Sequence, residues 1–402
     1  MIGLSSIKVE HFKSLESAEV ELGQVNVFVG ANGAGKSNLL EALGVVGAAA
    51  AGRVDDQALL RRGVRPGVPR IYKSAFPSKT KDPSIRLTVS AGPEASYFIG
   101  IVNQGKVPKP FWQFQHEKLK DSGKSIASRG PRHGSAQIHG EGIHDERSAS
   151  LAVQARASLR TKQAPRDMLA LLDDYAIFAP VTPVLRGIAP DTASRAPVGL
   201  FGGALPEAVE SLSADPKKRL RQLALDLIDW AQDFSVGPPS KNFIASSVPT
   251  MRRVILFRDA FMRKTDQTLS GYDASEGALY VLYLLCLAMH PQAPRTFAVD
   301  NFDQALNPSA ARRLARVFTE EVLRHDRQVL LTTHNPLVLD GLPLNDDRVR
   351  LFRVERQQDG RSVVHRVPVA DLRMLKRQHG DNAVSRLWIE GRLGGLSSVR
   401  PI

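Results

Sequence analysis

Eight residues, Gly30-Ala31-Asn32-Gly33-Ala34-Gly35-Lys36-Ser37, set a glycine, four free positions and then Gly-Lys-Ser. That spacing is the phosphate-cradling pattern of a P-loop. Its glycines let backbone N–H groups turn inward around an anion, and a helix that follows adds the partial positive charge of its N-terminus. Lys36 is then able to reach the β- and γ-phosphates of a nucleoside triphosphate, and the Ser37 hydroxyl to hold a magnesium ion. Gly30, Asn32, Gly33, Gly35, Lys36, Ser37 and Asn38 form the candidate binding set for ATP and Mg2+.

Two later stretches could finish such a site. Phe297-Ala298-Val299-Asp300 is an apolar run ending in a carboxylate, the second magnesium ligand that Ser37 needs. Val329-Leu330-Leu331-Thr332-Thr333 is another apolar run, and it ends at His334-Asn335-Pro336. Between them Asn307 can cap, and Pro308 can start, an amphipathic helix carrying Leu314, Val317, Phe318 and Val322. A strand–helix–strand unit of this length makes the two strands parallel, so Asp300 and His334 share one rim and face the γ-phosphate. Asp303, Asn301 and Lys36 join them as candidate catalytic residues. Lys13, in Phe12-Lys13-Ser14 at a strand end, could also approach the nucleotide.

A further candidate is Ser275-Glu276-Gly277, which begins a long apolar helix running through Met289. A serine and free N–H groups at a helix start suit a phosphate group. Leu269-Ser270-Gly271 offers a second register, but in a loop away from the helix, so Ser275 and Gly277 are preferred.

The elements that must position these residues follow from periodicity. Val25-Asn26-Val27-Phe28-Val29 enters the P-loop as a buried strand, and Asn38-Leu39-Leu40-Glu41-Ala42-Leu43 leaves it with helical spacing. Residues 7–11 and 18–22 alternate as a strand hairpin ahead of it. Arg61-Arg62-Gly63-Val64-Arg65-Pro66-Gly67 reads as a basic surface loop. Residues 85–89, 97–102 and, less clearly, 111–115 alternate as short strands of an appended antiparallel sheet. Residues 120–148, rich in Gly, Ser, Arg and His without apolar periodicity, read as a mobile loop, and His133, His139 and His144 as loop histidines rather than metal ligands. Helical spacing marks 149–173 and 204–233, where Leu220, Leu223, Ala224, Leu227, Ile228 and Ala231 share a face, with one short buried strand at 175–180 between them. Strand-like 349–354 and 362–367, and Trp388, read as structural. The expected organisation is a P-loop lobe with antiparallel strands over 1–145, a mostly helical insertion over 146–240, and a lobe over 241–402 carrying Ser275, Asp300 and His334.

At this point the order of P-loop, Ser275 segment, Asp-ended strand and His334 resembles an ABC-type ATPase head. The wording of Ile7-Lys8-Val9-Glu10-His11-Phe12-Lys13-Ser14-Leu15, Gly30–Asn38, Ser275-Glu276-Gly277, Leu306-Asn307-Pro308 and Thr333-His334-Asn335-Pro336 is similar to RecF-like and OLD-like ATPases, relatives of SMC heads. The resemblance covers about residues 1–50 and 250–340 and only loosely the middle. It implies an α/β P-loop NTPase head of ABC type: a parallel core sheet, an appended antiparallel β-subdomain and a mostly helical insertion. It implies too a head-to-tail dimer, or a higher oligomer, sandwiching two ATP molecules, each between one subunit's P-loop and the other's Ser275. Closure on ATP and opening after hydrolysis would move the insertion or an attached effector, in prokaryotic anti-phage defence or DNA repair. The stretch from Ser37 to Ser275 is too short for long coiled-coil arms, and the chain leaves little room after His334 for a nuclease domain, so a separate protein is expected to supply any effector activity.

The sequence departs from that pattern in two ways. Where the family carries a glutamate after the Asp-ended strand, this chain has Asn301, and an amide cannot accept a proton. Hydrolysis should therefore be slow unless Asp303 substitutes. No glutamine sits in a recognisable linking loop, Gln57, Gln104 and Gln113 being poor fits. An ATP-binding structural scaffold with little or no hydrolysis is the alternative reading. A transporter motor subunit fits less well, since such subunits usually lack so large an insertion.

The bulk composition agrees with a globular protein of 402 residues, 43% hydrophobic and 24% charged. No apolar run is long enough to span a membrane and no signal peptide opens the sequence, so no membrane partner and a cytoplasmic location are expected. The one cysteine, Cys286, lies in Leu284-Leu285-Cys286-Leu287 and reads as a small hydrophobe. A net charge of +13 favours an anionic partner, with DNA the first choice. If duplex DNA is bound through this charge, a titration at rising salt will show affinity falling linearly on a log–log plot, and a flat response between low and physiological salt would exclude it.

Overall fold

The computed structural model describes residues 3–76, 84–104, 106–158, 160–239, 244, 247, 252–378 and 383–394. Ser6–Phe12 (β1) and Leu15–Glu21 (β2) pair as the expected hairpin, Val25–Val29 (β3) follows, and Lys36–Ala50 forms the first long helix (α1). Antiparallel strands come next: Ile85–Ala91 (β4), Ala95–Val102 (β5), Gln113–Asp121 (β6), Lys124–Arg129 (β7) and the two-residue Gln137–Ile138 (β8) and Glu141–Gly142 (β9). They join the hairpin in one sheet of order β2-β1-β4-β5-β6-β7-β8-β9. This is the appended antiparallel subdomain.

After helix Gln163–Asp174 (α2) and strand Ile177–Phe178 (β10) come helix Ala214–Leu227 (α3) and a small sheet of Ala231–Gly237 (β11), Val254–Asp259 (β12) and Thr268–Ser270 (β13). Glu276–Met289 (α4), Thr296–Val299 (β14), Pro308–Arg324 (α5), Gln328–Thr333 (β15), Val349–Arg356 (β16) and Ser362–Val367 (β17) complete the long elements. The core sheet has the order β10-β14-β15-β3-β16-β17. Its first five strands are parallel, and β17 runs antiparallel at the edge.

All five residues of β3 are buried because both faces of this sheet are covered. Val25, Val27 and Val29 pack into a core with α3, α4 and α5, while Phe28 points the other way, into a core shared with α1, α2 and the antiparallel sheet. The period of two along a strand separates the two cores. Helix α1 has leucine, valine and alanine all round, as its position between the two sheets requires.

Four expectations change. Residues 120–148 are not a mobile loop: β6 and β7 run into them, and Asp145 lies 2.9 Å from Arg129 and 3.0 Å from Arg147, all three side chains buried or nearly so. Arg129 and Arg147 donate to the carbonyls of Ala149 and Gly130 at 2.9 and 3.0 Å. Guanidinium groups do the packing here, so apolar periodicity gives no signal. The buried strand at 175–180 is not confined to a helical insertion, since β10 pairs with β14 at the edge of the core sheet and α2 packs on α1. The helix expected through residue 233 ends at Leu227, and Ala231 opens β11. Within the basic segment 61–67, Arg62 is buried and donates to the Asp173 side chain at 3.1 Å, and burial pulls its guanidinium down to about 10.

Phe28 and Phe352 stack across β3 and β16 with ring centroids 4.9 Å apart and planes at 15°, both fully buried. Phe352→Ala should cost about 3–5 kcal/mol of stability, read as a lower midpoint in chemical unfolding. A loss below about 1 kcal/mol would mean this pair does not anchor the sheet.

Candidate functional site

The P-loop begins where β3 leaves the sheet between two parallel neighbours, β15 and β16. Gly30 has no room for a side chain there, because a Cβ would stand 2.3 Å from the Val354 carbonyl. Gly35 has φ 104°, and a Cβ on it would lie 2.4 Å from the Ser362 hydroxyl. Gly35 is also the N-cap of α1, with no side-chain cap and no acid in the first turn. The helix therefore presents uncapped N–H groups with their positive end undiminished, an anion cradle in chemical terms.

Lys36 is 8% exposed, and its ammonium donates to the carbonyls of Gly30 at 2.8 Å and Ala31 at 3.0 Å. Burial lowers its pKa, and Asp300 and Asp303 pull it part of the way back. The Ser37 hydroxyl lies 2.9 Å from both carboxylate oxygens of Asp300. Thr332 donates to the same carboxylate at 2.5 Å and accepts from the Asn301 N–H at 2.8 Å. Ser37 and Asp300 are hard oxygen ligands side by side, which suits a magnesium ion that keeps most of its shell as water and phosphate oxygen. Among the described residues no group of three or more His, Cys, Asp or Glu is arranged around a metal position.

Asn301 has φ 55°, a left-handed conformation that asparagine tolerates better than most residues. Tyr280 donates to its carbonyl at 2.8 Å, which leaves the exposed side chain facing a cleft. Asn32, Asp303, Gln304 and His334 line that same cleft. Asp303 is nearly buried, accepts from Thr333 at 2.6 Å and lies 3.6 Å from the half-exposed His334 ring. Gln57, Gln104 and Gln113 do not line it.

Lys13 lines a neighbouring cavity together with Ser14 and Asn38. It has φ 50°, and its ammonium is ion-paired with the buried Glu41, 4.9 Å from the centre of the Tyr72 ring. Nearby, Asn38 donates to the Ser14 hydroxyl at 2.7 Å, and the Ser362 hydroxyl is 2.6 Å from both Ser14 and the Ala34 carbonyl, so the loop is tied to β17. The structure thus brings together Gly30–Asn38, Asp300, Asn301, Asp303 and His334 at one rim, with Lys13 beside them. Ser275 and Gly277 lie at the start of α4, where a Cβ on Gly277 would stand 3.0 Å from the Ala305 carbonyl. Ser275 is exposed, caps α4 by accepting from the Ala278 N–H at 3.3 Å, and makes no hydrogen bond to the P-loop among the described residues. Ser270, in the other register, is buried in β13 and donates to Asp273.

Residues 25–340 match a family described as "AAA domain, putative AbiEii toxin, Type IV TA system". The chain belongs to this AAA-domain family. The matched span contains both the P-loop and His334. No curated protein matches the sequence. Among solved structures, the SMC head domain from Thermotoga maritima is similar at 14% identity and TM-score 0.46, covering 91% of this chain and 99% of that one. An Smc head domain with an extended coiled coil, bound to the C-terminal domain of ScpA derived from Pyrococcus furiosus, is similar at 11% identity and TM-score 0.49, covering 94% and 99%.

Several residues of this AAA-domain site carried no role in the sequence reading. Thr332 and Thr333 hold Asp300 and Asp303, and their signal is a pair of hydroxyls ending an otherwise apolar strand. Arg356 donates to the Gly33 carbonyl at 3.3 Å from the end of β16, with nothing in its own neighbourhood to mark it. Glu41 and Arg65 form an ion pair 24 positions apart, visible locally only as one acid in an apolar helix. Cys286 is buried in α4, and burial pushes its thiol up to about 12, away from reactivity.

Proposed function

We propose that the chain binds ATP with Mg2+ and hydrolyses it slowly, as a switch that works in a head-to-tail dimer and governs a separate effector protein. The observation that carries this reading is the convergence of Lys36, Ser37 and Asp300 beneath the uncapped start of α1. MgATP supplies the transferable phosphoryl group and the positive charge that offsets its oxygens. Lys36 exchanges its two loop carbonyls for phosphate oxygens. Ser37 and Asp300 hold the metal, and Thr332 keeps the Asp300 carboxylate turned toward it. His334, with the Asp303 carboxylate behind it, is the group at the cleft able to orient a water molecule. Ser275 is exposed at the start of α4 and so is available to a twin subunit's nucleotide. The toxin wording of the family description, together with the RecF-like and OLD-like resemblance, favours anti-phage defence or DNA repair as the setting.

A second reading, an ATP-binding scaffold, is favoured by Asn301, whose amide stands where a proton acceptor would serve hydrolysis. Two measurements test these readings. Lys36→Ala should weaken binding of a fluorescent ATP analogue roughly 10- to 100-fold, the worth of charge-assisted hydrogen bonds to phosphate; unchanged binding would overturn the nucleotide site itself. Asn301→Glu should raise steady-state phosphate release, up to the roughly 10²–10⁴-fold that a positioned base contributes. Should wild type release no phosphate at any enzyme concentration, the scaffold reading replaces the switch.

A further inference from the structure

Glu41 is a buried carboxylate four residues after Ser37, hence on the same face of α1 and one turn deeper. Each of its oxygens takes one cation: Oε2 pairs with Lys13 and Oε1 with the Arg65 Nε at 2.5 Å. The Glu41 side chain is 3% exposed, Lys13 13%, and Arg65 68%. One acid thus faces two cations from two other elements, the β1–β2 turn and the segment after Leu60. A cavity of about 600 Å3 opens beside them, also lined by Arg70, Arg356 and Asn38. Five cationic side chains, Lys13, Arg65, Arg70, Lys73 and Arg356, line that cavity, and Asn38 is the immediate neighbour of Ser37.

A lone acid buried beside a polyphosphate site would by itself repel the ligand. Its burial makes sense if the two cations need a counter-charge when no phosphate is present, because an unpaired ammonium at this depth is costly. We propose that Glu41 is a positioning residue: it holds Lys13 and Arg65 at the edge of the nucleotide cleft and gives up part of their charge to the phosphates when nucleotide enters. The inference rests on the nucleotide reading above and adds the device that keeps the site's cations ordered without ligand. Lys13 supports it. Burial draws its pKa down, Glu41 draws it part of the way back up, and Arg65 acts in the lowering direction. The Phe12 and Tyr72 rings, 5.4 and 4.9 Å from its nitrogen, hold it without neutralising it. Asp300 reaches Arg65 electrostatically, which links the pair to the metal side of the cleft.

The test is Glu41→Gln in the full chain, with binding of a fluorescent ATP analogue in the presence of Mg2+ and the melting temperature measured on the same sample. The expected result has opposite signs: a lower melting temperature, because the buried Lys13 ammonium loses its counter-charge, and affinity roughly 3- to 10-fold tighter, because the competing carboxylate is gone. The gain should shrink when Lys13→Met is made in the same chain. A role confined to stability would lower both together, so weaker or unchanged binding overturns the proposal. If Glu41→Gln does not fold, Arg65→Ala decides, since that side chain is largely exposed: affinity should fall about tenfold with a shallower salt dependence, and unchanged affinity overturns the proposal. Lys36→Ala separates the two levels. Binding lost there but not tightened by Glu41→Gln removes only the counter-charge role, whereas binding unaffected by Lys36→Ala removes the nucleotide reading itself.

Discussion

A strand hydrogen-bonded on both sides to parallel neighbours has no freedom to shift, and β3 is such a strand, held between β15 and β16 from Val25 to Val29. Its exit point is therefore fixed, and the Val354 carbonyl leaves only a glycine at position 30. Because parallel strands need long crossovers, their carboxyl ends collect residues far apart in the chain on one rim. Ser37 after β3, Asp300 after β14 and His334 after β15 meet for this reason. So does Arg356, the last residue of β16, which reaches the Gly33 carbonyl. The sheet does not take part in chemistry, yet without its register the Ser37 hydroxyl and the Asp300 carboxylate would not stand 2.9 Å apart.

The charges at this rim follow from burial. Desolvation lowers the pKa of both Lys36 and Lys13, and carboxylates draw each part of the way back, Asp300 and Asp303 for one and Glu41 for the other. Acids here act first as partners of cations, and the cations await an anion. An exposed cluster with the same residues would be screened by solvent and would contribute little order. At this depth the same pairs hold geometry, which is what a site for polyphosphate needs before the ligand arrives.

Legibility in the sequence tracked how local each constraint was. The P-loop, the Asp-ended strand and the Asn307 cap all rest on residues within one turn or one strand, and Asn307 does cap its helix as expected. The parallel pairing of β14 with β15 followed from the length of the crossover. What escaped was long-range and polar. Arg62 with Asp173 and Arg129 with Asp145 bury charge against charge, and a hydrophobic pattern cannot register such packing. Strand β10 has only two residues, and its place beside β14 comes from the sheet edge rather than from its own composition. Glu41 appeared only as a break in the apolar helix, since its meaning depends on Lys13 and Arg65, which reach it from opposite directions in the chain.

At Asn301 the backbone constraint and the chemistry of the rim meet. Its N–H is taken by Thr332 and its carbonyl by Tyr280, so the backbone there is fixed whatever the side chain. The left-handed φ of 55° costs an ordinary L-residue about 1–2 kcal/mol, and asparagine escapes much of that by local hydrogen bonding. The residue that suits the conformation is thus one that cannot accept a proton. Asp303, two positions on, has one oxygen committed to Thr333 and the other turned to His334, so in the proposed reaction it acts through the imidazole rather than directly on water. A glutamate at 301 would bring a base into the cleft at some cost in backbone strain. In the proposed switch the native asparagine would give a rigid turn and a slow reaction, a combination suited to a bound state that must persist long enough for a partner to respond to it.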